Sequence, residues 1–213
     1  MVETRTVRVD PLGAGPGRLR ELATALRGGA VAAYPTETFY ALGAAAFSKR
    51  AVARIYRLKG RTASKSLSVV VSGLEMVGQI AAPLPAGFVQ LAGEFWPGPL
   101  TLVLPASAAV PGFLAGPRRT IAVRVPPLAW LRALVAELGE PLTATSANLA
   151  GGPEQTDPAG VGTLFGGRIE LVIDAGPSPG GLPSTIVDLA SAPPRVLREG
   201  RIPAGRVFEV LGR

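Results

Sequence analysis

The sequence predicts an α/β domain built around one extended sheet. Short apolar runs ended by proline or glycine alternate with segments whose apolar residues recur at helical spacing, the pattern of strands interleaved with helices. The chain has 213 residues, 47% hydrophobic and 17% charged, enough to bury the core of one domain. Its 27 glycines and 21 prolines are spread along the chain rather than gathered in a tract, which supplies tight turns and argues against disorder.

In chain order, Thr6–Val9 alternates and reads as an edge strand. Gly17–Arg27 carries Leu19, Leu22, Ala23 and Leu26 on one helical face and stops at Gly28-Gly29. Ala30–Tyr34 reads as a buried strand before Pro35. Ser48 is placed to cap a helix running to about Leu58, with Ala51, Val52 and Ile55 inward. Leu67–Val71 reads as a buried strand, followed by helical patches at Leu74–Ile80 and Ala86–Gly93. Leu100–Leu104 and Thr120–Val125 are strands ended by proline, and Leu128–Leu138 is a helix closed by Gly139. Leu142–Thr145 is a strand that opens into Ser146-Ala147-Asn148. Glu170–Asp174, Thr185–Leu189 and Val196–Arg198 add strands, and a short helix through Val207 and Leu211 follows. Two or three layers fit this order, with no internal repeat and no interdomain linker.

Composition removes whole classes of chemistry. The chain contains no cysteine and no histidine, so disulfides, thiolate nucleophiles, Ser-His-Asp triads and the commonest zinc sites are excluded. Catalysis by this chain therefore works through positioning and charge neutralisation, or uses carboxylate, lysine, tyrosine or the substrate as proton carrier. The 22 basic against 15 acidic residues give a net charge of +7, which suits an anionic partner and equally suits solubility. The N-terminus MVETRTVRVD lacks an apolar leader core, and no apolar run reaches the roughly 18 residues of a membrane span. A cytoplasmic location with no membrane association is expected.

Several segments place polar groups at strand or helix ends. Gly13–Gly17 lacks the lysine of a phosphate-binding loop and reads as a plain turn. Pro35-Thr36-Glu37-Thr38-Phe39-Tyr40-Ala41-Leu42-Gly43 releases two hydroxyls, a carboxylate and a tyrosine after a buried strand, where α/β sheets bind ligands; a turn with a helix cap fits equally. Lys59, Arg61 and Lys65 follow a helix beside Gly60 and could cradle a triphosphate or simply complement the helix dipole. Arg50, Arg54 and Arg57 on that helix read as solvated surface. Arg124, inside an apolar strand, requires an anion, either a structural carboxylate or one on a ligand. Ser146-Ala147-Asn148, Ser184-Thr185 and Arg198 repeat the theme of hydroxyls and cations at strand boundaries.

Together these segments resemble the threonylcarbamoyl-AMP synthase family, the YrdC-like (TsaC-like) domain. The residues that carry the resemblance are the Pro35–Gly43 motif, Ile55-Tyr56-Arg57-Leu58-Lys59-Gly60-Arg61 and Phe95-Trp96-Pro97-Gly98-Pro99-Leu100-Thr101. Thr120-Ile121-Ala122-Val123-Arg124-Val125-Pro126, Ser146-Ala147-Asn148, Ser184-Thr185-Ile186-Val187-Asp188 and Arg198-Glu199-Gly200 continue it in family order. The resemblance implies a single YrdC-like domain over residues 5–205, an extended, twisted mixed sheet flanked by helices with a basic concave face. No C-terminal accessory domain of the kind in longer members is expected.

The implied reaction is that of an L-threonylcarbamoyladenylate synthase, a nucleotidyltransferase. L-Threonine, bicarbonate or CO2, and ATP accompanied by Mg2+ give threonylcarbamoyl-AMP and pyrophosphate. A downstream transferase complex then uses the product to make threonylcarbamoyladenosine in tRNA. By the resemblance, Thr38, Arg124 and Ser184 contact threonine, with Arg124 on its carboxylate. Lys59, Arg61, Lys65, Thr120, Ala144, Ser146, Asn148, Glu154 and Arg198 contact the nucleotide, Lys59 and Arg61 being the catalytic cations, and no residue is assigned to metal. Contact with tRNA or double-stranded RNA is compatible with the charge, and a non-catalytic RNA- or ribosome-binding protein is the alternative from another class. A carbamoyl-adenylate activity like that of hydrogenase-maturation proteins is disfavoured by chain length. The sequence departs from the family pattern at Ala41, where glycine is usual and a positive φ would be strained, and at Thr62, Lys65, Ser66 and Val70.

Overall fold

The computed structural model describes residues 2–60, 67–116 and 118–212. Strand β1 (Arg5–Arg8) leads to helix α1 (Pro16–Arg27), where proline in the first turn forgoes an amide that has no intrahelical acceptor. Strand β2 (Ala32–Pro35) turns back through residues 36–39 into β3 (Tyr40–Gly43). Helix α2 (Lys49–Lys59) starts where the Ser48 hydroxyl accepts from the Ala51 amide and stops at Gly60, whose φ of 61° a side chain would strain. Strand β4 (Ser68–Val70), helices α3 (Leu74–Ile80) and α4 (Phe88–Phe95) and strand β5 (Leu100–Pro105) follow. The short helix α5 (Gly112–Ala115) precedes β6 (Thr120–Arg124), and α6 (Ala129–Leu138) closes at Gly139 before β7 (Leu142–Ser146). Helix α7 (Pro158–Phe165), strands β8 (Leu171–Asp174), β9 (Thr185–Asp188) and β10 (Arg195–Arg198), and helix α8 (Ala204–Val210) complete the chain.

Among the described residues the strands join one mixed sheet in the order β1-β8-β2-β3-β7-β4-β6-β5-β9-β10. Pleating gives the sheet two faces. One core joins Ala32 and Tyr34 of β2, Leu100, Leu102 and Leu104 of β5, and Ile121 and Val123 of β6 to α1, α3, α4 and α6. In a second core Val31 and Ala33 beside Leu42 pack against Ala51, Val52 and Ile55 of α2 and Val161 and Phe165 of α7. This second core covers only the β8-β2-β3 half. Thr101 and Val103 of β5 and Thr120, Ala122 and Arg124 of β6 belong to neither core and pleat to one side, which the strand registers continue through Ser68, Ala144 and Ser146 to Ala41. The uncovered half of that face is where a ligand can lie.

Three elements were not legible in the sequence: β3, α5 and α7. Tyr40–Gly43, read as a ligand loop or turn, is an antiparallel partner of β2 in the register Pro35↔Tyr40 and Ala32↔Gly43. Ala41 therefore sits in extended backbone, and alanine there carries no left-handed strain; Arg119 is the non-glycine residue with positive φ, 51°, among the described residues. Arg54 corrects the reading of a solvated stripe. Its Nη1 meets Glu170 Oε1 at 2.7 Å, tying α2 to the start of β8.

Candidate active site

The site begins at the turn between β2 and β3. The Thr36 hydroxyl donates to the Phe39 carbonyl oxygen at 2.7 Å and accepts from the Thr38 amide at 3.2 Å, and the two threonine hydroxyls lie 3.1 Å apart. This bonding aims Thr38 across the open face toward the end of β6. There the Arg124 guanidinium donates through Nη1 to Glu37 Oε1, and both side chains are buried. The structural carboxylate that Arg124 needs is thus Glu37. The second oxygen, Glu37 Oε2, is buried and has no hydrogen-bond partner among the described residues, so this carboxylate depends on Arg124 for its compensation. Arg124 has no further protein acceptor recorded among the described residues, which leaves guanidinium N–H groups for an anion entering the cavity.

A cavity of about 220 Å³ lies over this part of the sheet. Its floor is made of small side chains in register, Ala144 on β7, Ser68 on β4 and Ala122 on β6, which leaves depth above the strands. Thr38, Arg124, Ser184, Ala144, Ser146, Glu154 and Arg198 all line it, so seven positions expected from the sequence converge on one space. Arg198 donates to the Ser184 carbonyl oxygen from Nε (3.0 Å) and Nη2 (2.7 Å), and to its Oγ at 3.0 Å, pinning the segment before β9. Desolvation lowers the Arg198 pKa from its ordinary value; the Glu154 carboxylate opposes this and the Arg124 charge adds to it.

The other expected positions divide differently. Lys59 and Asn148 stand behind the cavity wall. Lys59 Nζ donates to the Ser146 carbonyl oxygen (2.5 Å), the Asn148 carbonyl oxygen (3.1 Å) and Asn148 Oδ1 (2.6 Å), while Asn148 Nδ2 donates to Gly152 O at 2.7 Å. Both side chains shape the 146–152 loop. Thr120 is on the open face, two residues before Ala122 and outside the cavity lining. Arg61 and Lys65, with Thr62 and Ser66, lie outside the described residues.

Some cavity residues were not singled out from the sequence. Thr101 is nearly fully buried, and its hydroxyl lies 3.1 Å from Ser184 Oγ. Its signal was pleating: Leu100 and Leu102 point into the core, so Thr101 must face the other way. The Tyr40 hydroxyl donates to Gly176 O at 2.8 Å, and burial raises its pKa above the phenol's usual value. Among the described residues no group of three or more acidic side chains is arranged to hold a metal ion.

The family model Sua5_yciO_yrdC, described as telomere recombination, matches residues 24–200. The chain belongs to this family. It is similar to the threonylcarbamoyl-AMP synthase of Pyrococcus abyssi (strain GE5 / Orsay), 40% identical over 92% of this chain and 57% of the relative. It is also similar to that of Bacillus subtilis (strain 168), 37% identical over 95% of this chain and 59% of the relative. The chain thus spans less than two thirds of the length of these Sua5/YciO/YrdC relatives. Among solved structures, P. abyssi Sua5 complexed with L-threonine superposes with a TM-score of 0.91 at 38% identity, covering 98% of this chain and 61% of the other. The mixed sheet flanked by helices is therefore this family's fold.

Proposed function

We propose that the chain is an L-threonylcarbamoyladenylate synthase, a nucleotidyltransferase that supplies threonylcarbamoyl-AMP for tRNA modification, with residues 5–205 as its working domain. The observation that carries this reading is the convergence of Arg124, Thr38 and Ser184 with Ser146 and Arg198 around one cavity, in a chain similar to a threonine-bound Sua5. Arg124 receives the threonine carboxylate on the N–H groups that Glu37 leaves open. The nucleotide lies toward Ser146, Ala144, Glu154 and Arg198, with Thr120 farther along the same face and Arg61 and Lys65 at its phosphates.

In the first step the threonine amine attacks the carbon of CO2 or bicarbonate, losing a proton or a water molecule respectively, to form a carbamate. A carbamate oxygen then attacks the α-phosphorus of ATP, and the bond to the pyrophosphate oxygen breaks. No protein nucleophile takes part, which suits a chain without cysteine or histidine. Alignment of small substrates can contribute on the order of 7–11 kcal/mol to such a reaction, and fixed cations offset the charge that develops on phosphate. Mg2+ would enter with ATP as part of the substrate and offset phosphate charge; among the described residues Glu37 is engaged by Arg124 and no acidic cluster gathers.

Lys59 is assigned to holding the 146–152 loop, and Arg61 to offsetting the charge that develops on the transferred group. A downstream transferase complex consumes the product. The proposed setting is the cytoplasm; among the described residues no helix is long and apolar enough to cross a membrane. Incubation of the purified chain with ATP, bicarbonate and labelled L-threonine should give a labelled adenylate. Labelled threonine recovered unchanged, with ATP intact, would refute the proposal.

A further inference from the structure

Counting hydroxyl protons separates cavity groups that accept from one pair that must donate. The Thr36 proton goes to the Phe39 carbonyl oxygen, so the 3.1 Å contact between the hydroxyls of Thr36 and Thr38 takes its proton from Thr38. Thr38 then offers the cavity lone pairs. Ser68 and Ser146 likewise give their protons away, to Ala144 O at 2.5 Å and Asn148 Oδ1 at 2.8 Å. The pair formed by Thr101 and Ser184 is different. Their oxygens lie 3.1 Å apart, one proton joins them, and Arg198 Nη2 donates a further hydrogen to Ser184 Oγ at 3.0 Å. Neither hydroxyl has a carbonyl or carboxylate acceptor among the described residues, so one O–H is left over. Both residues are buried and both line the cavity.

We propose that Thr101 is a positioning residue for the amino-acid ligand: its hydrogen bond to Ser184 directs the remaining hydroxyl proton of the pair at the ligand's carboxylate. The inference rests on the reading of the cavity as an amino-acid site and adds the ligand's direction. A carboxylate only accepts, so it goes to the Thr101–Ser184 donor and Arg124. An amine donates, so it goes to Thr38. The reactive nitrogen is thereby fixed on the opposite side of the ligand from its own carboxylate, and the carboxylate is kept from competing for the carbon electrophile.

Thr101→Val keeps the side-chain shape and removes the hydroxyl; Thr101→Ser keeps the hydroxyl. Threonine and ATP KM values from pyrophosphate release, with calorimetric L-threonine binding, separate the possibilities. T101V is expected to raise the threonine KM and Kd about three- to tenfold, the size of one net hydrogen bond, with the ATP KM unchanged, and T101S is expected to restore the threonine values. Wild-type threonine affinity in T101V would overturn the Thr101 proposal alone. So would a T101S variant as weak as T101V, or parallel rises in both KM values with a lowered Tm, because each points to packing. A wild-type chain that binds no L-threonine would overturn the functional reading together with this inference.

Discussion

The Lys59 ammonium lies 2.6 Å from Asn148 Oδ1, across a gap of 89 positions in the chain, and its helix-end cation serves as a clamp on the loop after β7. Lys59 is 4% exposed. Removal of its charge leaves the Ser146 and Asn148 oxygens short of a donor inside the protein, so replacement disturbs the fold as well as the site. Lys59→Met is predicted to lower stability by about 1–3 kcal/mol and to raise the ATP KM through a loosened Ser146. Urea unfolding and ATP titration check both halves.

The Arg124–Glu37 pair makes stability and activity separable. Arg124→Ala strands a buried carboxylate and is predicted to destabilise the chain by about 3–5 kcal/mol, as breakage of buried pairs does, with threonine-dependent turnover lost. Addition of Glu37→Gln removes the stranded charge and should recover most of the stability. Turnover should stay lost, because no guanidinium remains for the substrate. Recovery of turnover in the double variant would show that Arg124 acts only as a partner for Glu37.

Gly200 supports the Ser184 side of the cavity at a distance. Its N–H donates to Thr185 Oγ1 at 3.0 Å, and a Cβ there would lie 2.8 Å from the Ser184 carbonyl carbon and closer still to the Pro183 carbonyl oxygen. The constraint is steric, since Gly200 has no positive φ. Gly200→Ala is predicted to cost about 1–3 kcal/mol by overpacking and to raise the threonine KM by moving Ser184. Thermal unfolding and steady-state kinetics report the two effects.

Acid sensitivity has a defined source in Glu170. Burial alone would raise its pKa, but hydrogen bonds from Arg54 Nη1 (2.7 Å) and the Val31 amide (2.8 Å) outweigh that and hold it below its usual 4.5. The unfolded chain therefore binds the proton first as pH falls. The stabilisation is complete above the unfolded value and is lost as pH drops through the folded one. Glu170→Gln should be less stable than wild type at neutral pH, with the difference shrinking below pH about 4. Urea midpoints across that range measure it; a difference independent of pH would contradict the assignment.

The sequence revealed those parts of the fold that rest on local chemistry. Ser48 and Gly60 mark the two ends of α2, and Gly139 marks the end of α6, because capping and positive φ are properties of single residues. Strand β3 was hidden because Tyr40–Gly43 is buried on both faces and so shows no alternation, and Pro35 read as a strand stop rather than the base of a hairpin. Helix α7 was hidden by two glycines; its signal was Asp157-Pro158, a cap and a first-turn proline. At the site, the demand of Arg124 for an anion was legible from its apolar neighbours. The identity of that anion was not, because Glu37 reaches Arg124 across 87 positions of chain through strand order. The role of Lys59 as a clamp on Ser146 and Asn148 was hidden for the same reason.

The central claim is that one open half of the sheet holds an amino acid and a nucleotide side by side. A crystal structure of the chain with L-threonine and a non-hydrolysable ATP analogue tests it most directly. The account predicts the threonine carboxylate on Arg124 and the Thr101–Ser184 hydroxyls, the amine at Thr38, and the α-phosphate between that amine and Ser146. The two ligands on separate faces of the sheet, or threonine bound away from Arg124, would contradict it.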